Sequence, residues 1–154
     1  METVNSTDLV KKLFLLLTVA LLALPALADN LKWTTDLAAA KAQAKKEGKL
    51  VLIDFAGSDW SDWCIKLDKE VFGTKQFVEY AARNLVLVRI DFPRKSKQSE
   101  SLKMTNAALK VQFATKDVFP TLIVLSGDGK ELWRQVGYME GGPKAWTEKL
   151  ASLK

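Results

Sequence analysis

The spacing of hydrophobic and polar positions changes several times along the chain, and each change marks a predicted element. Alanines and lysines at 36–47 predict a helix, with Thr34 or Thr35 as its N-cap and Gly48 as its stop. KLVLIDF, residues 49–55, is a short apolar run of aliphatic and β-branched side chains, which is typical of a central strand. This part of the chain is therefore predicted to form a helix followed by a strand.

The middle of the chain repeats this alternation. A helical pattern extends over residues 60–80 and is interrupted at Gly73 and Thr74, which predicts two consecutive helices. LVLVRIDF, residues 85–92, predicts a second apolar strand that ends at Pro93.

A charged, serine-rich segment, residues 94–101, is predicted to be a loop. Residues 102–113 return to helical spacing. The apolar positions that predict the buried face of this helix are Met104, Ala108 and Val111.

The last third of the chain predicts a β-hairpin and a final helix. LIVLS leads into the turn sequence SGDG, residues 126–129, and KELWRQVGY supplies the partner strand. Pro143 suits the first turn of a last helix. The apolar stripe of that helix is predicted at Trp146, Leu150 and Leu153.

These elements give the order αβαβαββα, which indicates an α/β fold with a mixed central sheet flanked by helices. Strands that alternate with helices pair in parallel through crossover connections, whereas the last two strands form an antiparallel hairpin. No internal repeat and no second domain is apparent.

The N-terminus predicts a cleaved secretory signal over residues 1–28. Lys11 and Lys12 precede the apolar run 13–24, Pro25 breaks it, and Ala-Leu-Ala at 26–28 suits signal peptidase. The alternative is an uncleaved membrane anchor, but the run is shorter than the roughly 20 residues that span a bilayer. We therefore expect one domain, residues 29–154, in the periplasm or secreted, without a stable membrane anchor.

Composition excludes several classes of site. The chain has one cysteine, Cys64, and no histidine, so it can form neither an internal disulfide nor a Ser-His-Asp site. A zinc site with histidine or several cysteine ligands is excluded as well, and the sequence predicts no cofactor and no metal. The net charge of +5 is spread among interleaved acids, which does not indicate nucleic-acid binding.

Several motifs lie in register across the mature domain and together resemble the thioredoxin family, most closely exported bacterial members. They are FAGSDWSDWC at 55–64, VRIDFP at 88–93, Phe-Pro-Thr at 119–121 and SGDGKEL at 126–132. The resemblance implies a thioredoxin-like fold, with Phe119-Pro120-Thr121 as the cis-proline turn.

The chain departs from the family pattern at its centre. Ser61 stands where the family has its attacking cysteine, and Cys64 stands at the position of the resolving cysteine. A serine hydroxyl cannot replace the first sulfur without a base such as histidine, so Ser61 is interpreted as a helix N-cap. Cys64 has two interpretations: an inert, buried side chain, or a single thiol that forms mixed disulfides.

The resemblance also implies roles for residues around the motif. Asp54 corresponds to an acid buried beneath it, although a strand-end residue facing solvent is the alternative. Trp60 and Trp63 would contribute to an apolar rim, with core packing as the alternative. Phe119 and Pro120, followed by Thr121, would dock an extended peptide through backbone groups, unless Phe119 simply belongs to the core.

Two acids surround the motif serine. Asp59 and Asp62 are interpreted as solvated residues near a helix start, where negative charge stabilises the helix and opposes a nearby thiolate.

Two functions fit these features. The first is thiol–disulfide chemistry through Cys64 alone, with protein thiols or disulfides as partners, by a mixed disulfide and without dithiol turnover. The second is a redox-inactive module or chaperone that binds extended peptide segments. A monomer is expected in either case, and a dimer linked through Cys64 is a third option.

Overall fold

A five-stranded mixed sheet separates two layers of helices in the computed structural model, which describes residues 31–113 and 115–154. The strand order is β1-β3-β2-β4-β5. The strands are β1 Trp33–Thr34, β2 Leu50–Ala56, β3 Leu85–Asp91, β4 Thr121–Leu125 and β5 Glu131–Val136. The helices are α1 Leu37–Glu47, α2 Asp62–Leu67, α3 Lys75–Asn84, α4 Glu100–Gln112 and α5 Gly142–Ala151, and a π-helical segment, Asp68–Phe72, continues α2.

Strand pairing confirms the predicted mixed sheet. β2 and β3 pair in parallel, in the register that places Leu50 beside Leu85 and Ala56 beside Asp91. β4 is antiparallel to β2, and β5 is antiparallel to β4. The crossover through α2 and α3 therefore places the end of β2, where the motif begins, in the middle of the sheet.

The structure contains a first strand, β1, that the sequence pattern does not predict, and the N-cap of the first helix differs from the predicted one. Trp33 and Thr34 pair in parallel with β3, so Thr34 belongs to a strand. The N-cap of α1 is Asp36, whose carboxylate accepts the N–H of Ala39 at 2.9 Å. Gly48 ends the helix in the left-handed conformation, at φ 64°, as its position predicts.

Each face of the sheet carries its own hydrophobic cluster, because side chains alternate along the strands. On one face, Leu52 and Leu87 pack with the layer that contains α2, α3 and α5, where Trp146 is fully buried. On the other face, Ile53 and Val88 pack against α1 and α4. Trp146 and Leu150 confirm the predicted stripe of the last helix.

The predicted buried face of α4 is wrong. Met104 and Val111 are 73% and 80% exposed, and Ala108 is exposed as well. The face that meets the sheet contains Asn106, whose side-chain amide donates to the Asp91 carbonyl at 2.9 Å, and Leu109. Because a polar residue, Asn106, occupies the centre of this face, the buried side of the helix cannot be recognised from the spacing of apolar residues.

The helix α4 also begins earlier than predicted. Ser99 is its N-cap and accepts the N–H of Leu102 at 3.2 Å, so Glu100 and Ser101 belong to the helix and not to the preceding loop.

The predicted signal segment, residues 1–28, lies outside the described residues. Over residues 31–113 and 115–154, the structure contains no helix that is both long and apolar enough to cross a membrane.

Two matched valine substitutions test the assignment of the faces. Val88→Ala removes fully buried methyl groups and is expected to lower the free energy of unfolding by about 2 kcal/mol. Val111→Ala removes the same atoms from a solvent-exposed helix position and is expected to change it by less than about 0.5 kcal/mol. Urea denaturation measures both, and equal losses would contradict the observed orientation of α4.

Candidate functional site

The motif loop connects β2 to α2 and is shaped by backbone hydrogen bonds. The N–H of Ser61 donates to the carbonyl of Gly57 at 2.8 Å. Ser61 is then the N-cap of α2, where its hydroxyl accepts the N–H of Cys64 at 3.5 Å. The same hydroxyl donates to the carbonyl of Phe119 at 3.4 Å. Ser61 therefore caps the helix, as interpreted from the sequence, and also contacts the residue before Pro120.

The only thiol of the chain is buried. Cys64 is 3% exposed, and its Sγ accepts the N–H of Gly57 at 3.4 Å. Burial raises the pKa of the Cys64 thiol, and the negative charge of Asp54 acts in the same direction, against hydrogen bonds from Ser61 and Gly57 that lower it. The resting thiol is therefore protonated at neutral pH.

A buried acid and a partly buried base lie side by side beneath the motif. Asp54 is 2% exposed, and the β2–β3 register places it next to Arg89. Nε of Arg89 donates to Oδ2 of Asp54 at 3.1 Å, and Nη2 of Arg89 donates to Oδ1 of Asp68 at 2.5 Å. Arg89 thus joins the sheet to the π-helical segment that follows α2.

Burial dominates the acidity of Asp54. Desolvation raises its pKa to about 7, although the positive charge of Arg89 opposes this shift. Its Oδ1 is buried and has no hydrogen-bond partner within residues 31–113 and 115–154. Asp54 can therefore hold or release a proton near neutral pH, at an oxygen that faces no donor in that part of the chain.

The sequence analysis did not identify Arg89 as part of the site. An arginine within the apolar run LVLVRIDF was the available indication, since a charge in a buried strand requires an anionic partner. The guanidinium of Arg89 also lies 4.2 Å from the ring centre of Trp33. Trp33 belongs to β1, the strand that the sequence pattern does not predict.

The predicted peptide-docking residues lie together beside Ser61. The Phe119–Pro120 peptide bond is cis, and the hydroxyl of Thr121 donates to the Val118 carbonyl at 2.7 Å. The rings of Trp60 and Phe119 meet edge to face, 5.6 Å apart. Phe119 is half-buried, whereas Pro120 and Thr121 are buried.

The two tryptophans differ in exposure. Trp60 is partly buried and donates from its indole N–H to the Phe92 carbonyl at 2.7 Å. Trp63 is 53% exposed and lies beside Tyr138, with ring centres 5.5 Å apart. Trp63 therefore lies at the surface and is not packed in the core, and Tyr138 is a neighbour that the sequence did not predict.

Asp59 does not act as a solvated helix-end residue. Its carboxylate accepts the backbone N–H groups of Arg94, Lys95 and Ser96 at 2.9, 2.9 and 2.8 Å. These hydrogen bonds, with that of Arg94 the largest contribution, lower the pKa of Asp59 to about 2. Asp59 thus fastens the loop after β3 to the motif, while Asp62 is exposed in the first turn of α2.

A profile described as thioredoxin-like matches residues 32–126, well over half of the chain. The chain belongs to the thioredoxin-like family. Its fold is the thioredoxin-like α/β fold, and the first of the two motif cysteine positions is occupied by Ser61. No cluster of side chains suited to a metal ion occurs in the part of the chain that the structure describes.

Relatives within the family include two proteins of Chlamydia pneumoniae. The chain is 35% identical over 128 residues to the disulfide bond reductase DsbH, a match that covers 83% of this chain and 75% of DsbH. It is 31% identical over 107 residues to the thioredoxin-related protein DsbJ, covering 70% of this chain but only 30% of DsbJ. A solved structure of a DsbH oxidoreductase superposes with a TM-score of 0.75 at 35% identity, covering 84% of this chain and 88% of the other.

The buried acid predicts a specific pH dependence of stability. The pKa of Asp54 is about 7 in the folded chain and about 3.9 in an unfolded one, so the folded state binds more protons between these values. Stability therefore falls as pH rises through this window. Asp54→Asn has no carboxyl group at this position and therefore lacks this pH dependence. The difference in the free energy of unfolding, variant minus unmodified protein, should increase by a few kcal/mol from about pH 4 to pH 7.

Urea denaturation of both proteins across pH measures this difference. A difference that stays constant over the window, or that decreases, would show that Asp54 is not a destabilised carboxylate.

Proposed function

We propose that the chain is an exported thioredoxin-like protein that acts in thiol–disulfide chemistry through Cys64 alone. The observation that carries this proposal is the ionisable acid, Asp54, buried where its charge acts on the only thiol of the chain.

A peptide-binding module has no need of such an acid. Burying a carboxyl group is unfavourable unless it is well paired, and Oδ1 of Asp54 has no partner within the described ranges. A strongly shifted pKa beside a candidate nucleophile is a feature of functional sites. The Asp54–Cys64 arrangement therefore supports chemistry at the thiol.

The reaction can be written with the residues present. Asp54, about half ionised at pH 7, takes up the proton of the Cys64 thiol through a bridging water as the sulfur attacks one sulfur of a partner disulfide. The partner's S–S bond breaks, a Cys64–partner disulfide forms, and the second partner sulfur leaves as a thiolate that takes up a proton. Cys64 is oxidised and the leaving sulfur is reduced, so electrons balance.

The cycle cannot be completed within the chain. Ser61 occupies the position from which a second sulfur would act, and Cys64 is the only cysteine. Release of the mixed disulfide requires an external thiol, from a small molecule or another protein. The partners are accordingly protein thiols and disulfides. With such an external thiol, the chain would act as a monothiol oxidoreductase.

The relatives support this class of chemistry. DsbH is described as a disulfide bond reductase, and it covers most of this chain at 35% identity. Export to the periplasm or beyond rests on the predicted signal, Lys11 to Ala28. Cleavage after Ala28 would give a mature protein that begins at Asp29, which N-terminal sequencing tests.

A redox-inactive peptide-binding module is the second candidate, because Cys64 is 3% exposed and its thiol pKa is raised. The exposed Trp63 and the turn at Phe119 and Pro120 would then be the working surface. The same burial of Cys64 opposes a dimer linked through this residue, so a monomer is proposed.

Mixed-disulfide formation separates the two candidates. The reduced, folded protein is treated with excess oxidised glutathione and followed by intact mass, with Cys64→Ala as the control that has no thiol. We expect one glutathione adduct on the native protein and none on the control, with a rate that rises with pH because the thiol pKa is raised. An adduct that forms only after unfolding would contradict thiol chemistry and favour the binding module.

Restoring the missing sulfur extends the same test. Ser61→Cys should form an internal disulfide with Cys64 and reduce insulin, whereas the matched Ser61→Ala should do neither. A folded Ser61→Cys protein that neither bridges nor reduces insulin would show that the site is misplaced.

A further inference from the structure

The loop after β3 places a cation beside the predicted docking groove, which is formed by Trp60, Trp63, Phe119 and Pro120. The guanidinium carbon of Arg94 lies 3.6 Å from the ring centre of Trp60, and Trp60 in turn contacts Phe119. Phe119 precedes the cis-proline and is the residue whose backbone is proposed to pair with an extended peptide. An arginine therefore stacks on the aromatic wall next to the docking position.

The backbone of Arg94 is held in place by hydrogen bonds. Asp59 accepts three consecutive backbone N–H groups of this loop, beginning with that of Arg94. Trp60 follows Asp59 and is fastened to the same loop through the Phe92 carbonyl. A Cβ on Gly57 would lie 2.5 Å from the Trp60 ring, so the glycine allows the ring to lie against the motif loop.

Cations outnumber anions on this side of the groove. Arg94, Lys95 and Lys97 are exposed, and none makes an ion pair in the described part of the chain. The carboxylate of Asp59, held by backbone N–H groups, and the exposed carboxylate of Asp62 are the two negative charges at the motif, so this side keeps an excess of positive charge.

The other cations near the groove already have acidic neighbours. Lys110 lies over Phe119, 5.9 Å from the ring centre, and pairs with Asp117. Lys66 lies over Trp63, 5.2 Å from the ring centre, within 4 Å of Glu70 and Glu140. Attraction for a negative charge is therefore concentrated at the Arg94 side.

We infer that the groove selects extended peptide segments that carry Asp or Glu close to the docking position at Phe119. The distances from Phe119 to Trp60 and from Trp60 to Arg94 place the guanidinium within about three residues' length of an extended strand. A carboxylate at that position would form a charge-assisted hydrogen bond with Arg94 while the peptide backbone pairs beside Pro120. This inference rests on the proposed docking groove but not on thiol chemistry.

Peptides without cysteine test the inference on the native, reduced protein. Three ten-residue peptides of equal length have serine at the centre and differ only in the flanking residues, which are Glu, Gln or Lys. Isothermal titration calorimetry at low salt should show the Glu peptide binding at least fivefold more tightly than the Gln peptide, and the Lys peptide least tightly. The difference should shrink in 0.5 M salt, since exposed charges are screened.

Matched arginine variants locate the effect. Arg94→Gln should reduce the affinity for the Glu peptide to near that for the Gln peptide, whereas Arg83→Gln, at an exposed position on α3, should change neither. Equal affinity for the Glu and Gln peptides overturns the inference. Equal losses in both variants, or equally tight binding of a single-stranded oligonucleotide, also overturn it, because net charge alone would then explain the attraction.

The result is independent of the redox proposal. Acidic selectivity without glutathione adducts would remove thiol chemistry and leave this inference intact. Adducts without acidic selectivity would do the reverse.

Discussion

The contact between Asp54 and Arg89 is the interaction on which the arrangement of the site depends. It joins the two central parallel strands at the level of the motif, through a 3.1 Å hydrogen bond between side chains that the sheet register places side by side. Arg89 extends the contact to Asp68, beyond the end of α2, and stacks on Trp33 of the edge strand. One guanidinium thus fixes the sheet, the motif helix and the edge strand relative to one another.

The same contact defines what the thiol can do. Because burial outweighs the positive charge of Arg89, which also pairs with Asp68, Asp54 has a pKa of about 7, and its Oδ1 has no partner in the described ranges. Cys64 lies in the first turn of α2, where a helix N-terminus favours a thiolate, but burial and the charge of Asp54 oppose one. The site therefore holds a protonated thiol under the electrostatic influence of an ionisable carboxyl, and the serine that caps the helix cannot act as a nucleophile without a base.

The sequence predicted those parts of the fold that local pattern determines. The central strands are continuous apolar runs, the hairpin has a four-residue turn sequence, and Gly48 and Ser61 lie at helix ends, so their structures follow from nearby residues. β1 was missed because two residues carry no measurable period. The face of α4 was wrong because Asn106, a polar side chain, occupies its buried centre through a hydrogen bond to the distant residue Asp91.

In the candidate site, too, the features that depend on nearby residues were predictable, whereas the contacts between distant residues were not. The motif residues were identifiable because they resemble a known family, and the capping role of Ser61 follows from its chemistry. The pairing of Asp54 with Arg89 depends on strand register, and the role of Asp59 depends on a loop that begins 35 residues later in the chain. Contacts between positions so far apart in sequence are set by the folded sheet and leave little trace in local spacing.

The pH dependence of Cys64 alkylation measures the coupling between Asp54 and Cys64. Native protein and Asp54→Asn are labelled with iodoacetamide across pH, with unfolded samples as the reference for a free thiol of pKa about 8.5. We expect a midpoint above that value in the native protein and a lower midpoint in Asp54→Asn, since the variant lacks the negative charge that opposes the thiolate. Identical midpoints in the two folded proteins would contradict it, because Asp54 would then not influence the thiol.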